Sequence, residues 1–174
     1  MSVDFFWRRV AGTSLDELSP EELSALVPHW FDPEIGPLRE AGMVMAVERN
    51  GSLMHFALTA GGAVSGGVAQ LPVFGGERRA DGREDPEYGF VGAELLVLRP
   101  DEVQAASAFL NGVAVDDLVR ELGAALAGQV RALGFSTPWS QRWAAGLAAD
   151  MRDLKDFFAA AAAAGDAVIK FESA

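Results

Sequence analysis

The feature that most constrains this chain is YGFVGAELLVLRPDEVQAASAFL, Tyr88 to Leu110, which reads as a buried strand delivered straight into a capped helix. Ala93 to Leu98 is apolar at every position except Glu94, and Pro100 supplies a helix-compatible φ just where a helix can begin. Asp101 and Glu102 then place negative charge against the positive end of the helix. Val103, Ala106 and Leu110 continue as one apolar stripe. A strand that becomes a helix within about three residues holds two layers against each other, so the rest of the chain must supply further strands and a cover.

The 174 residues are expected to form a single domain, 1–174, large enough to bury its own core. With no cysteine, the chain offers no disulfide, no thiolate catalysis and no Cys-based metal site, and nothing in it suggests secretion. A net charge of −11 argues against non-specific affinity for nucleic acid or anionic membranes. The start, MSVDFFWRRV, sets its arginines after the apolar residues, the reverse of a signal peptide. No apolar run approaches the roughly 18 to 20 residues that span a bilayer, and the expected location is the cytoplasm.

Val3 to Val10 fits either a first strand or an apolar lead-in. Ser19-Pro20-Glu21-Glu22 is a helix start with a capping serine, proline at the first helical position and glutamate three residues after the cap. Leu23, Leu26 and Val27 form its inner face and Pro28 closes it; Asp32-Pro33-Glu34 repeats the signal for a short helix ended by Gly42. The stretch from Met43 is ambiguous because Asn50-Gly51 is a strong turn signal, and a helix is expected from about Ser52 to Thr59. Gly66 to Phe74 reads as a strand, with Pro72 marking an edge, and Gly75 to Gly89 as the longest loop. Val115 to Leu126 reads as one helix and Trp139 to Ala164 as the longest, with Trp143, Leu147, Met151, Leu154, Phe158 and Ala161 in register. Gly165 is its natural C-cap, and Ala167 to Phe171 a short final strand. The resulting class is α+β: a small mixed or antiparallel sheet covered by several helices, with a long C-terminal helix followed by a short strand.

Candidate chemistry is sparse. Of the two histidines, His29 follows Pro28 as a helix-end group, while His55 lies between Met54 and Phe56 with Glu48 and Arg49 shortly before it. His55 is therefore the weak catalytic candidate, to be set against the ordinary reading of a half-buried, hydrogen-bonded histidine. Metal ligation has no HExxH, cysteine pair or EF-hand loop to support it, and the carboxylates from Asp81 to Glu87 are irregularly spaced. GGAVSGG at Gly61 to Gly67 lacks the spacing of a phosphate loop, and no GxSxG marks a nucleophile. Asp150 and Asp153 share a helix face, but Arg152 and Lys155 interleave them as on any solvated helix. Neither a metal nor a cofactor is implied. Trp139, Arg142 and Trp143 cluster at the start of the longest helix, where large aromatics either pack a core or, with Trp30 or Tyr88, line a recognition groove for a peptide or small ligand.

Taken together, several of these segments resemble one family. YGFVGAELLVLRPDEV, preceded by LPVFGG, resembles the yGparyLtPeeV pattern, preceded by an apolar strand and Gly-Gly, of the DUF1877 (YfbM-like) family of uncharacterised bacterial proteins. MHFALTAG is similar to that family's LHFLLTG, LKDFFAAAAAAGDAVIKF to its closing LxxFYxxAAxxGdaVl, and SPEELSAL also agrees. The resemblance covers most of the chain and rests on the order and spacing of commonplace motifs. It implies a bacterial α+β domain with no established activity, and it places His55 on the family's LH pair and Tyr88-Gly89 on its YG. Where relatives carry a DKAWH-like segment, this chain has Glu48-Arg49 for the Asp-Lys, Gly51 for the tryptophan and Ser52 for the first histidine; Phe158 replaces a tyrosine. These departures favour binding over chemistry.

The expectation is a non-enzymatic binding or interaction domain with an acidic surface, its candidate binding residues being His55, Tyr88, Trp139, Arg142 and Trp143. A basic protein or a small ligand is the partner such a surface suits, with a homodimer left open. The alternative is a small-molecule hydrolase using His55 with a nearby carboxylate.

Overall fold

The computed structural model describes residues 3–63, 66–87 and 89–173. Strand β1 (Asp4–Val10) sends Phe5 and Trp7 into one hydrophobic cluster and Phe6 and Val10 into another, so it buries both faces as an interior strand does. That resolves the ambiguous Val3 to Val10 segment. β1 lies between β2 (Val44–Glu48) and β5 (Ala167–Ser173); β4 (Gly89–Leu98) and β3 (Glu77–Asp85) follow on the other side of β5. The order is β2-β1-β5-β4-β3, and every pairing is antiparallel. The last strand in sequence thus sits at the centre of the sheet.

Helices cover both faces. Leu15 of α1 (Ser14–Glu17) and Leu23 of α2 (Pro20–Ala25) join Phe6 and Ile169, with α3 (Ile35–Glu40) beside them. The opposite face, carrying Trp7 and Val168, is covered by α4 (Gly51–Leu58), α5 (Pro100–Asn111), α6 (Val115–Glu121), α7 (Gly123–Ala132) and α8 (Gln141–Ala164). This is the expected α+β class, with a long C-terminal helix leading into a strand. No helix among the described residues is long and apolar enough to cross a membrane.

The organising stretch behaves as its sequence requires. β4 ends at Leu98 and α5 begins at Pro100, and the backbone N–H of Arg99 donates to the Glu102 carboxylate at 2.9 Å, fixing the first turn. Val103, Ala106 and Leu110 are all buried. In α2 the capping box forms as read, with the Glu22 N–H donating to Ser19 Oγ at 3.2 Å and the Ser19 N–H to Glu22 at 2.8 Å. Helix α8 starts at Gln141 rather than Trp139, because Ser140 caps it by accepting the Trp143 N–H at 3.2 Å. It ends on Gly165 at φ 71°.

Three readings are corrected. Gly66 to Phe74 is not a strand: Gly66 and Gly67 take φ of 86° and 77°, and a single 3-10 turn, Val68–Gln70, follows. The carbonyls of this segment serve side chains instead of a ladder, with Pro72 accepting from Trp7 Nε1 at 2.7 Å. Gly75 to Gly89 is not a loop: Glu77–Asp85 pairs with β4 through nine residues, from Glu77 opposite Val97 to Asp85 opposite Gly89. As the edge strand it needs no apolar alternation, and its charges guard the exposed edge. Val115 to Leu126 divides at Leu122, whose ψ of 5° closes α6 and opens α7. β2 was hidden in the ambiguous stretch from Met43; Val44, Met45, Ala46 and Val47 are all buried.

Candidate functional site

β2 ends in a strained reversal. The Asn50 N–H donates to the Glu48 carbonyl at 2.7 Å across Arg49, which stands at φ 66° in the left-handed region. A side chain in that region costs about 1–2 kcal/mol, and such strain gathers at sites that use it. The reversal delivers the chain into α4, whose cap residue, Asn50, does not cap it. Its side chain instead turns toward α8. Trp143 Nε1 donates to Asn50 Oδ1 at 2.8 Å, and Asn50 Nδ2 donates to Asp150 Oδ2 at 2.6 Å. Asn50 is 9% exposed, so this relay is a buried polar bridge between β2 and the last helix.

Over the bridge lies a cleft of about 470 Å³, lined by Glu48, Arg49, Asn50, Thr137, Ser140, Arg142 and Trp143. Two helix starts, Asn50 before α4 and Ser140 before α8, border it. Its electrostatics set it apart from the rest of the surface. The other basic side chains among those described are committed: for example, Arg9 pairs with Asp166 at 2.9 Å, Arg99 with Asp16 at 3.2 Å, Arg152 with Asp116 at 2.6 Å, and Arg39 stacks on Trp30. Among the described residues, the guanidiniums of Arg49 and Arg142 have no hydrogen bond, ion pair or ring contact, and both line this cleft. Asp150, beneath it, is held above the usual carboxylate range by burial, opposed by its bond from Asn50 and reinforced by Asp153.

Of the residues singled out in sequence, Trp139, Arg142 and Trp143 do come together. Trp143 lies 6.0 Å from Trp139 and meets Phe135 edge-on at 5.2 Å. Trp143 therefore serves both readings, half-buried in the apolar cluster and lining the cleft. Tyr88 lies outside the described residues. His55 sits on α4 but does not line the cleft; its ring meets Phe74 edge-on at 4.7 Å, and its buried Nδ1 has no hydrogen-bond partner. Burial, and then the charge of Lys170, hold His55 below the ordinary histidine range. No carboxylate among the described residues hydrogen-bonds to it, so the ion that would orient a general base is missing. Nor do three His, Cys, Asp or Glu side chains among the described residues converge as a metal site would.

Sequence reasoning missed Arg49, Asn50 and Lys170. Asn50-Gly51 was legible only as a turn, because the side-chain bond it makes spans one hundred residues. Lys170 did carry a signal: it is the one charge inside the apolar run AVIKF, in a strand that proves to be central.

No protein-family model and no curated protein matches the chain. In fold it is similar to the crystal structure of YfbM from Escherichia coli, a protein of unknown function, with a TM-score of 0.57 and 16% identity over 96% of this chain and 98% of that one.

Proposed function

We propose that residues 1–174 form a non-enzymatic binding domain that takes up an anionic ligand in the cleft between Arg49 and Arg142, and that the chain is a distant relative of the YfbM-like proteins. Kinship is supported by the shared fold over nearly the whole length of both chains, together with the run of resembling motifs. One observation carries the binding reading: in a chain of net charge −11, the two uncommitted arginines among the described residues line one cleft. Two guanidiniums beside two helix starts suit a carboxylate or phosphate group, and Thr137 and Ser140 add hydroxyls. The acidity of the remaining surface repels anions at long range, but beyond about 10 Å that repulsion is screened at 0.1 M salt. Such a surface is also poorly suited to nucleic acid and leaves room for a basic protein partner elsewhere, in a cytoplasmic setting.

Calorimetric titration with pyrophosphate and with citrate tests this reading. Saturable binding that is lost in the Arg49→Gln/Arg142→Gln protein is the expected result. Heats that are absent, or unchanged in the double variant, would remove the cleft as a binding site.

A further inference from the structure

A second cavity, of about 290 Å³, opens where β4 and β5 part, and it shares no lining residue with the arginine cleft. The two strands pair only from Leu96 opposite Lys170 to Leu98 opposite Val168. Continuing that register would set Glu94 opposite Glu172, and like charges placed directly across a ladder destabilise it. Glu94 pairs with Arg78 at 2.8 Å instead, while burial and the charge of Glu94 hold the Glu172 carboxyl above its ordinary range. The strands diverge at this point, leaving a slot lined by Trp7, Phe74, Leu96, Lys170 and the two glutamates.

Lys170 is 4% exposed, and its partners are unusual. Nζ donates to the backbone carbonyls of Leu71, at 2.6 Å, and of Gly75; no carboxylate among the described residues bonds to it. A neutral amine satisfies both acceptors with its two N–H groups and keeps its lone pair free. An ammonium in the same place would bring a third N–H, and Nζ has no third hydrogen-bond partner among the described residues. Burial pushes Lys170 down to about 7, partly opposed by Glu102, so the neutral form is well populated near neutrality.

We propose that this cavity is a carbonyl-capture site, in which Lys170 Nζ adds to the aldehyde of a small aromatic or otherwise largely apolar molecule and holds it as an imine. The Nζ lone pair forms the C–N bond as the carbonyl π pair moves to oxygen. That oxygen takes up a proton as nitrogen releases one, giving the carbinolamine. The nitrogen lone pair then forms C=N as the hydroxyl takes a proton from a lining carboxyl and leaves as water, so amine, aldehyde and one proton become a protonated imine and water. Glu94 and Glu172, in the lining, are the carboxyls placed to carry these protons. The iminium nitrogen keeps one N–H, so capture releases one of the two carbonyls and loosens the segment from Leu71 to Gly75. The competing role for Lys170 is that of a pin which does no more than tie this segment to the sheet.

The chain contains two lysines, Lys155 and Lys170, which makes the experiment internally controlled. The intact folded protein is treated at pH 7.5 with benzaldehyde and sodium cyanoborohydride, and the reduced adducts are located by peptide mass mapping. Capture requires Lys170 to be labelled more than about tenfold faster than the more accessible Lys155, with a rate that saturates in benzaldehyde. Labelling of Lys155 and the N-terminal amine with Lys170 modified at the same rate, more slowly, or only after addition of urea would overturn it and leave the pin. The Lys155→Arg protein must retain the Lys170 adduct, and loss of that adduct would equally overturn the proposal.

Discussion

Asn50 and Asp150, one hundred residues apart, are joined by a 2.6 Å hydrogen bond from the Asn50 amide to the Asp150 carboxyl. The same amide accepts the indole N–H of Trp143 at 2.8 Å, so one buried side chain ties the end of β2 to two turns of α8. Asn50→Ala leaves an indole N–H and a half-buried carboxyl without these partners. The expected loss is about 2 kcal/mol of unfolding free energy, read from urea denaturation. Asn50→Asp keeps the size but sets a second carboxylate against Asp150, and its loss should be at least as large and should diminish at acidic pH.

Arg49 separates stability from binding. Its φ of 66° is strained for an arginine and ordinary for glycine, so Arg49→Gly is expected to stabilise the fold by about 1 kcal/mol in thermal or urea unfolding. The same change removes one of the two free cations of the cleft and should weaken anion binding at least tenfold. Arg142→Ala, on an exposed and unstrained position, should weaken binding similarly while shifting stability by no more than about 0.5 kcal/mol. Equal binding by all three proteins would disprove the role of the cleft.

The contrast between what the sequence disclosed and what it concealed follows the range of the interactions. Ser19 with Glu22, Pro100 with Glu102 and Gly165 as a C-cap are read correctly because each is settled within four residues. β3 reads as a loop in sequence because its strand character comes from the β4 backbone opposite it and from nothing in its own side-chain pattern. Gly66 to Phe74 reads as a strand because part of its apolar set turns inward, with Ala69 and Val73 buried, but Val68 is exposed and the segment's carbonyls meet Trp7 and Lys170, which lie far away in sequence. At the candidate site Arg142 and Trp143 were legible as a cluster at the start of the last helix. Arg49 and Asn50 were not, since they acquire meaning only when β2 is laid beside α8.

Gly51 illustrates a contact that propensity alone would misjudge. It opens α4, where alanine is ordinarily the better helix former, yet a Cβ at this position would fall 2.2 Å from Phe5 Cδ2. Phe5 is itself confined, stacked 6.2 Å from Trp7 and edge-on to Phe74 at 5.6 Å. Gly51→Ala should therefore destabilise the fold by about 1–3 kcal/mol through overpacking. Combining it with Phe5→Leu should recover part of that loss, and a double variant whose effects simply add would show that the two side chains do not compete for the same space.

The buried amine of Lys170 gives the fold a pH dependence of definite sign. Its value of about 7 in the folded chain lies below the 10.5 of an unperturbed lysine, so between these values the unfolded chain binds more protons than the folded one. Stability contributed by this group must rise with pH across that window, by up to about 1.4 kcal/mol per unit, and become constant below about pH 7, where both states are protonated. The titratable groups around it are Glu102 from α5, whose charge opposes the shift, His55 from α4, and Glu94 and Glu172 in the lining of the strand split. Lys170→Met, which retains the length of the stem, removes the titration but also strands the carbonyls of Leu71 and Gly75, a loss independent of pH. Urea unfolding of both proteins from pH 6.5 to 9 distinguishes the two contributions. The difference in stability between wild type and variant should widen in favour of wild type as pH rises, and two parallel curves would mean that Lys170 keeps its proton in the folded chain.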